Sequence, residues 1–487
     1  MPSETPILDR EPTSPQSTGK AARVNAYLLG STLVAAVGGF LFGFDTVVIS
    51  GTTEALKSVF GLTPKDLGIT VASALVGTVI GSLISGKPAE WLGRKPVLMV
   101  LAVLYFVSAL GCGLAWDWWS LVTFRLIGGL AIGGASVVSP MYIAEISPPH
   151  ARGRLVAMSQ WNIVAGLLVA EMSNYVIARF TTSMANGVEV MDPSAWRWML
   201  GIVAVPAVVF LFLLLPIPES PRWLVKRHRR EEALDVLRKL GNEDAPAVLQ
   251  EIVDSLHEET VGADEAFFQR KYLRPILLAF MVASFNQLAG INAVLYYSAD
   301  IFRMAGAGHT SALAQSVIIG LTNLIFTMVG MACIDRFGRR VLLIIGGFGL
   351  TACLGTVAYA FRLSEQISLG TLSQSYQSMV GPMVLGSLIG FIAFFAFSLG
   401  AVIWVFIAEI FPNRVRARGQ ALGSFTHWIW CALINYSFPM IVAHVSRAAP
   451  FMFFAAMMVL EIVLVWRYLP ETKGVSLEEM QRHLGIE

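Results

Sequence analysis

Long apolar runs recur about twelve times along this chain, and no other feature limits its fold so severely. They lie near 27–49, 67–86, 96–115, 118–141, 155–178 and 196–216, then near 272–302, 311–334, 340–361, 382–408, 418–443 and 448–469. A helix needs about 20 apolar residues to cross a bilayer, because each residue rises about 1.5 Å and the hydrocarbon layer is about 30 Å thick. With 55% of its 487 residues hydrophobic and only 14% charged, most of the chain has lipid as its solvent. The expected fold class is therefore an all-α integral membrane protein.

Charge and cysteine content exclude several functions. The net charge is +2, and the basic residues fall in short clusters between apolar runs instead of along one face, so nucleic acid is not an expected partner. Cys112, Cys333, Cys353 and Cys431 lie inside apolar runs without metal-ligand or redox spacing and read as core packing. The stretch from Gly81 to Lys87 nearly spells a phosphate-cradling loop, but Pro88 stands where Ser or Thr should hold magnesium. Gly77 with Gly81, and Gly129 with Gly133, read instead as small-residue faces for close helix packing. With no His-Glu-x-x-His, paired thiols or nucleophile elbow, an enzyme is not expected, and neither is a cofactor or metal.

Breaks between the runs suggest an organisation. Residues 1–22 are rich in Pro, Ser and Thr and read as a disordered tail, without the layout of a cleaved leader. A six-helix bundle is expected over 23–216, a polar linker with short amphipathic helices on the membrane surface over 217–271, a second bundle over 272–469, and a tail over 470–487. Lys87, Arg94 and Lys95, then Arg152 and Arg154, then Arg336, Arg339 and Arg340, then Arg414, Arg416 and Arg418 all follow even-numbered spans. Short cytoplasmic loops hold the Lys and Arg excess, so both termini and the linker are expected in the cytoplasm.

The halves repeat each other. Glu90-Trp-Leu-Gly-Arg-Lys95 answers Asp335-Arg-Phe-Gly-Arg-Arg340, and Ile143-Ala-Glu-Ile146 answers Ile407-Ala-Glu-Ile410. Pro218-Glu-Ser-Pro-Arg222 answers Pro470-Glu-Thr-Lys-Gly474. Three matched pairs in one order imply a duplicated six-helix unit, an arrangement that puts a ligand site between two rocking halves near the midplane. Each motif sets an acid near an Arg. Glu90, Arg94, Glu145, Arg152, Glu219, Asp335, Arg339, Glu409, Arg416 and Glu471 are the expected members of a latch tying the halves together on the Arg-rich face. Exposed ion pairs of this kind are worth about 0–1 kcal/mol each, weak enough to open in every cycle.

Polar residues inside the spans point to a site. Asp45 in the first span would cost about 2.5–3.5 kcal/mol if ionised and alone, so it needs a partner or a proton, and Arg125 in the fourth span is the candidate partner. Asn286, Gln287, Asn292 and Asn323 bring amides into spans seven and eight, where they either bond between helices or meet a hydroxyl-rich ligand.

Taken together, these marks resemble the sugar porter family of the major facilitator superfamily. They comprise Gly39-Phe-Leu-Phe-Gly-Phe-Asp45 with Ser50-Gly51, Arg125 before Gly128-Gly129, the repeated motifs, and Gln287 with Gly290-Ile-Asn292 and Tyr296-Tyr297. The resemblance runs from about Gly38 to Gly474 and implies the major facilitator fold. It implies secondary active transport of a monosaccharide, hexose or pentose, or a related polyol. In the proton-coupled members an Asp at the place of Asp45, near such an Arg, takes the proton. It further implies that Phe42, Asn286, Gln287, Asn292, Asn323, Gly400, Trp404, His427 and Trp428 surround the sugar, and that Tyr296 and Tyr297 form an extracellular gate. The expected partners are the sugar or polyol, protons and the bilayer of an inner or plasma membrane, with a monomer sufficient for function.

Departures from the family pattern bear on the substrate. Leu167 stands where Gln is frequent, Asn286-Gln287 where a Gln pair is common, Gly400-Ala401 for Gly-Pro, and His427 for Gln. Glu171, one turn beyond Leu167, reads as an acid facing outer water near Arg179, with a role in hydroxyl recognition or coupling as the other reading. A facilitative carrier, or a transporter-shaped sugar sensor, remains an alternative to proton symport.

Overall fold

The computed structural model describes residues 24–185, 188–261, 266–412, 414–475 and 477–486, so the tail expected over 1–22 lies outside the described residues. The first half contains α1 (Ala26–Val48), α2 (Thr53–Phe60), α3 (Pro64–Ile84), α4 (Gly86–Leu92), α5 (Arg94–Gly113), α6 (Trp118–Ile146), α7 (Arg152–Thr181), α8 (Ala195–Gly201) and α9 (Ala204–Leu213). Local chemistry starts several of them. The Asn25 side chain accepts from the Leu28 amide ahead of α1, and Thr63 with Asp66 and Asp117 with Ser120 form capping boxes ahead of α3 and α6. A short antiparallel hairpin, β1 (Thr182–Ala185) with β2 (Val188–Met191), projects beyond α7.

The linker folds into α10 (Pro221–Lys226), α11 (Arg230–Lys239) and α12 (Ala245–Val261). Their apolar sides meet one another. Trp223, Leu224, Val225 and Ala233 pack with Val236, Leu249, Ile252, Val253 and Leu256. This small cluster is pinned to the first half, where the Trp223 indole donates to the Glu90 carbonyl (2.9 Å) and Arg227 to the Trp91 carbonyl (2.5 Å).

The second half contains α13 (Leu273–Leu288), α14 (Ile291–Tyr296), α15 (Ser298–Met304), α16 (His309–Phe337), α17 (Arg339–Ser368), α18 (Gln377–Phe397), α19 (Leu399–Ile410), α20 (Arg416–His444), α21 (Ala449–Tyr468) and α22 (Leu477–Leu484). Two runs that read as single spans are broken, 272–302 at Gly290 (φ +84°) and 382–408 at Ser398. Among the described residues, eleven segments are long and apolar enough to cross a membrane. The 29-residue α20 stands outside that set because Gln420, Ser424, Thr426, His427, Asn435 and Ser437 dilute its apolar character, and it completes the expected twelve.

Small residues set the packing. A methyl added at Gly129 of α6 would lie 1.9 Å from the Ala74 carbonyl of α3, and one at Gly43 of α1 would lie 1.9 Å from the Ile163 carbonyl of α7. Backbones approach this closely only without a Cβ. Between halves, α20 packs on α3 and α16 on α7.

Candidate functional site

Two faces of the bundle differ. On the Arg-rich face the repeated motifs adopt matched geometry. Gly93 (φ +107°) and Gly338 (φ +89°) make the turns before α5 and α17, in a backbone region that other residues rarely enter. Glu219 then accepts from the Arg94 and Lys95 amides (3.0 and 3.2 Å), and Glu471 from the Arg339 and Arg340 amides (2.9 and 3.0 Å). Each carboxylate satisfies orphan donors at a helix start. Burial pushes the Glu219 carboxyl above its ordinary range, against the pull of those N–H donors and of nearby Arg94. The Arg side chains close the motif, Arg94 onto Glu145 and Arg339 onto Glu409, both at 2.7 Å.

The latch is expected to join the halves when this face is shut; with the face parted, Arg94, Glu145 and Glu219 meet within the first half, and Arg339, Glu409 and Glu471 within the second. Each Arg opens a helix directly beside the end of its own half's acidic helix, so the partner within reach is internal. Glu90 has an exposed side chain and contributes its carbonyl to the linker, Arg152 is exposed, and Arg416 reaches its own half's Phe411 carbonyl (3.4 Å). The Asp335 side chain lies outside the described residues. Between the halves on this face is a cavity of about 550 Å³, lined by Gly153 and Val156 from one side and Trp404, Ala408, Glu409 and Arg416 from the other.

Deeper in the bundle the polar residues gather. Asn286 donates to the Leu399 carbonyl at the start of α19 (3.2 Å), and Gln287 donates to Asn286 Oδ1 (2.9 Å). Gln287 Nε2 stands 3.2 Å from both ring nitrogens of His427, and Asn292 donates to Gln287 Oε1 (2.8 Å). The break at Gly290 makes this possible, because it turns Asn292 of α14 back toward α13. Aromatic rings adjoin the amides. His427 lies 5.3 Å from Trp404 and 4.9 Å from Trp428, and Phe42 of the first half lies 5.6 Å from Trp428. Gly400 sits one residue beyond Leu399. Asn323 is buried on α16, and among the described residues no hydrogen bond joins it to this group.

Asp45 and Arg125 face each other at 4.0 Å, both buried, and the Arg125 Nε and Nη2 atoms have no hydrogen-bond partner among the described residues. That separation is the outer limit of an ion pair, so the two are adjacent but loosely joined.

The opposite face is closed. Tyr296 and Tyr297 are buried, and Tyr297 donates to the Asn435 carbonyl (2.9 Å) while stacking on Phe438 at 5.0 Å. Ion pairs cross the seam above them. Lys57 meets Asp300 (3.3 Å), Arg303 meets Glu54, and His309 lies 3.7 Å from Glu54. The Thr310 amide donates to Glu189 of the hairpin (2.9 Å). Glu171, read from sequence as facing outer water, is only 1% exposed. The Ser50 hydroxyl donates to it (3.3 Å) from its own half and the Ser298 hydroxyl (3.3 Å) from the other, so α16 and α15 cover it. The charged partners across the seam, Glu54, Lys57, Asp300, Arg303 and His309, were not singled out in the sequence. Their signal was available, since Glu54, Lys57, Asp300 and Arg303 are charges at span ends away from the Arg-rich loops.

Two six-helix bundles closed at one face and parted at the other, with a buried polar site between them, define a secondary transporter of the major facilitator fold. Comparison with known proteins narrows this. The family described as "Sugar (and other) transporter" matches residues 31–484. The D-xylose-proton symporter of Escherichia coli K12 is 36% identical, over 94% of this chain and 96% of that one. The arabinose-proton symporter of Bacillus subtilis is also 36% identical, over 92% and 93%. Among solved structures, the inward-open conformation of the E. coli xylose transporter superposes with a TM-score of 0.80 at 35% identity, covering 94% of this chain and all of that one. The chain belongs to the sugar porter family of the major facilitator superfamily and is a multi-pass membrane protein.

Proposed function

We propose that this chain carries a monosaccharide, hexose or pentose, or a related polyol, together with protons across a cell membrane by alternating access. The observation that carries this reading is the amide group of buried Asn286 and Gln287 and half-buried Asn292 beside the rings of Phe42, Trp404, His427 and Trp428. Amides match the many hydroxyls of a sugar, and ring faces match its C–H patches. On this reading the hydroxyls take over hydrogen bonds that the amides and His427 now make with one another. Gly400 leaves room for the ring at Trp404, and Tyr296 and Tyr297 gate the outer side.

The Arg-rich face is the cytoplasmic one, with both termini, the 217–271 linker and the 470–487 tail inside, and the bundles spanning 23–216 and 272–469. A single chain suffices, in the inner or plasma membrane. Asp45 takes the proton. When neutral it releases Arg125, and the balance between the two packings of the halves changes. The motif pairs around Arg94 and Arg339 hold each half rigid while the cytoplasmic side is parted. In the opposite state, Glu90, Arg152, Asp335 and Arg416 come within reach of the other half.

Uptake into vesicles holding the purified protein tests the reading. An imposed pH gradient, acid on the side from which sugar enters, is expected to drive accumulation. Asp45→Asn should abolish accumulation while leaving sugar exchange intact. Accumulation indifferent to the gradient and to Asp45→Asn would indicate a facilitative carrier, and binding without uptake a sensor.

A further inference from the structure

We infer that Glu171 is a second proton-binding site, which holds the outer face shut when protonated and lets it open when ionised. This deepens the proton-coupled reading above by adding a group distinct from Asp45. The geometry is a carboxyl sealed at the seam between the halves. Ser50 reaches it from the first half and Ser298 from the second, and Ser316 of α16 donates to Ser298 at 2.9 Å. A methyl added at Gly320 would lie 3.7 Å from Glu171 Cγ, so α16 lies directly over it. All of these partners are hydroxyls.

Arg179, about two turns further along α7, is exposed, and the charged groups on the elements packed around Glu171 are engaged elsewhere. Asp45 of α1 faces Arg125 of α6, and Glu145 of α6 pairs with Arg94. Arg197 of α8 donates to the Gly113 carbonyl, while Asp300 and Arg303 of α15 pair with each other and with Lys57 and Glu54. His309 at the start of α16 lies beside Glu54. Among the described residues, no ion pair joins any of them to Glu171.

An ionised carboxylate with hydroxyl donors and no cation is held poorly at such a place, whereas a carboxylic acid fits it as one more hydroxyl-like member. Outer opening must part Ser298 from Glu171, because they belong to different halves, and must admit water, which favours the ion. Proton loss at Glu171 therefore favours opening, and proton uptake favours closure. The sign is fixed by geometry: the closed state binds the proton more tightly.

Hydrogen exchange of the full-length protein in lipid nanodiscs tests this without sugar. Amide protection of α2 and α15 is compared at one acidic and one mildly alkaline pH, after correction for intrinsic exchange. A difference of one unit in proton affinity between the two states corresponds to about a tenfold rise in opening at the alkaline pH. Because Asp45 is the other proton site, the comparison is made in the Asp45→Asn chain. The response is expected there and in Asp45→Asn with His309→Gln, and is expected to vanish when Glu171→Gln is added to Asp45→Asn, with α2 and α15 protected at both pH values. A response that persists with Asp45→Asn and Glu171→Gln together, or that is absent from Asp45→Asn or disappears with His309→Gln, overturns the inference. Ser298→Ala serves if Glu171→Gln does not fold. It removes a donor that only the closed state supplies, so protection at acidic pH should fall severalfold, and an unchanged profile overturns the inference. Failure here leaves the sugar reading standing, and failure of sugar uptake leaves this response intact.

Discussion

Gln287 does more bonding than any other side chain at the candidate site. Its amide nitrogen serves Asn286 and the His427 ring, and its oxygen takes the Asn292 proton. Removing the Asn292 donor leaves that oxygen buried and unsatisfied, a cost of about 1–3 kcal/mol. That cost falls on the sugar-free state and should show as lost stability, whereas in the loaded site Asn292→Ala removes an amide that meets a sugar hydroxyl and is expected to weaken sugar binding roughly tenfold, read by titration calorimetry. Asn323→Ala, at a position unconnected to the amide group here, is expected to change binding by about twofold or less. The amides were visible in the sequence because a polar side chain in an apolar span needs a reason to be there. Which of them touch was not visible, since the contact between Gln287 and Asn292 depends on the chain turning at Gly290. The Glu171 reading failed for a related reason. One-dimensional hydropathy places a residue along a span but not on the side that another bundle covers.

The repeated motifs explain themselves as helix starts. Gly93 and Gly338 let the chain turn, and the Glu of the third motif in each half arrives from more than a hundred residues away to accept the first amides of α5 and α17. Glu219→Ala takes the acceptor from the Arg94, Lys95 and Ser220 amides, and Glu471→Ala from those of Arg339, Arg340, Thr472 and Lys473, and each is expected to cost about 1–2 kcal/mol. Thermal unfolding in detergent should show both losses, and the double substitution should be close to additive because the caps lie in separate halves. Glu219→Gln, which keeps an acceptor oxygen, should lose less. Sequence duplication announced that these motifs matter and that they match. It did not reveal that they act inside each half, because an acid and an Arg in register say nothing about which other helix end lies nearest. The hairpin was overlooked although Asn186-Gly187, between its strands, is a strong turn signal. The helix breaks at Gly290 and Ser398 were hidden because apolar residues continue on either side of each.

Closure of one face rests on a layer of charges around Glu54, Lys57, Asp300 and Arg303, above the buried hydroxyls. The pairs are partly exposed, with the Lys57 and Glu54 side chains at 42% and 54%, so each contributes about 0–1 kcal/mol. Combining Glu54→Gln with Asp300→Asn is expected to raise the open population about threefold or more. Raised ionic strength should mimic part of that effect in the native chain. Spin-label distances across the seam measure both, and distances unchanged by either treatment would assign closure to the hydroxyls and aromatic rings alone. The two-bundle architecture was legible from apolar periodicity and internal duplication. The state in which it rests was not, because both states use the same helices and differ only in which face touches.

The small helical cluster of α10, α11 and α12 travels with the first bundle, fastened by Trp223, Arg227 and the bond from Asn25 to the Lys239 carbonyl (2.8 Å). The far end of the linker is moored to the other bundle in the same manner, because Phe267 is buried with its ring 5.7 Å from that of Phe411. Each bundle thus carries its own anchorage for the connecting segment, and loosening either one, by Trp223→Ala or Phe267→Ala, would slacken the tie between the rocking halves without touching the sugar site.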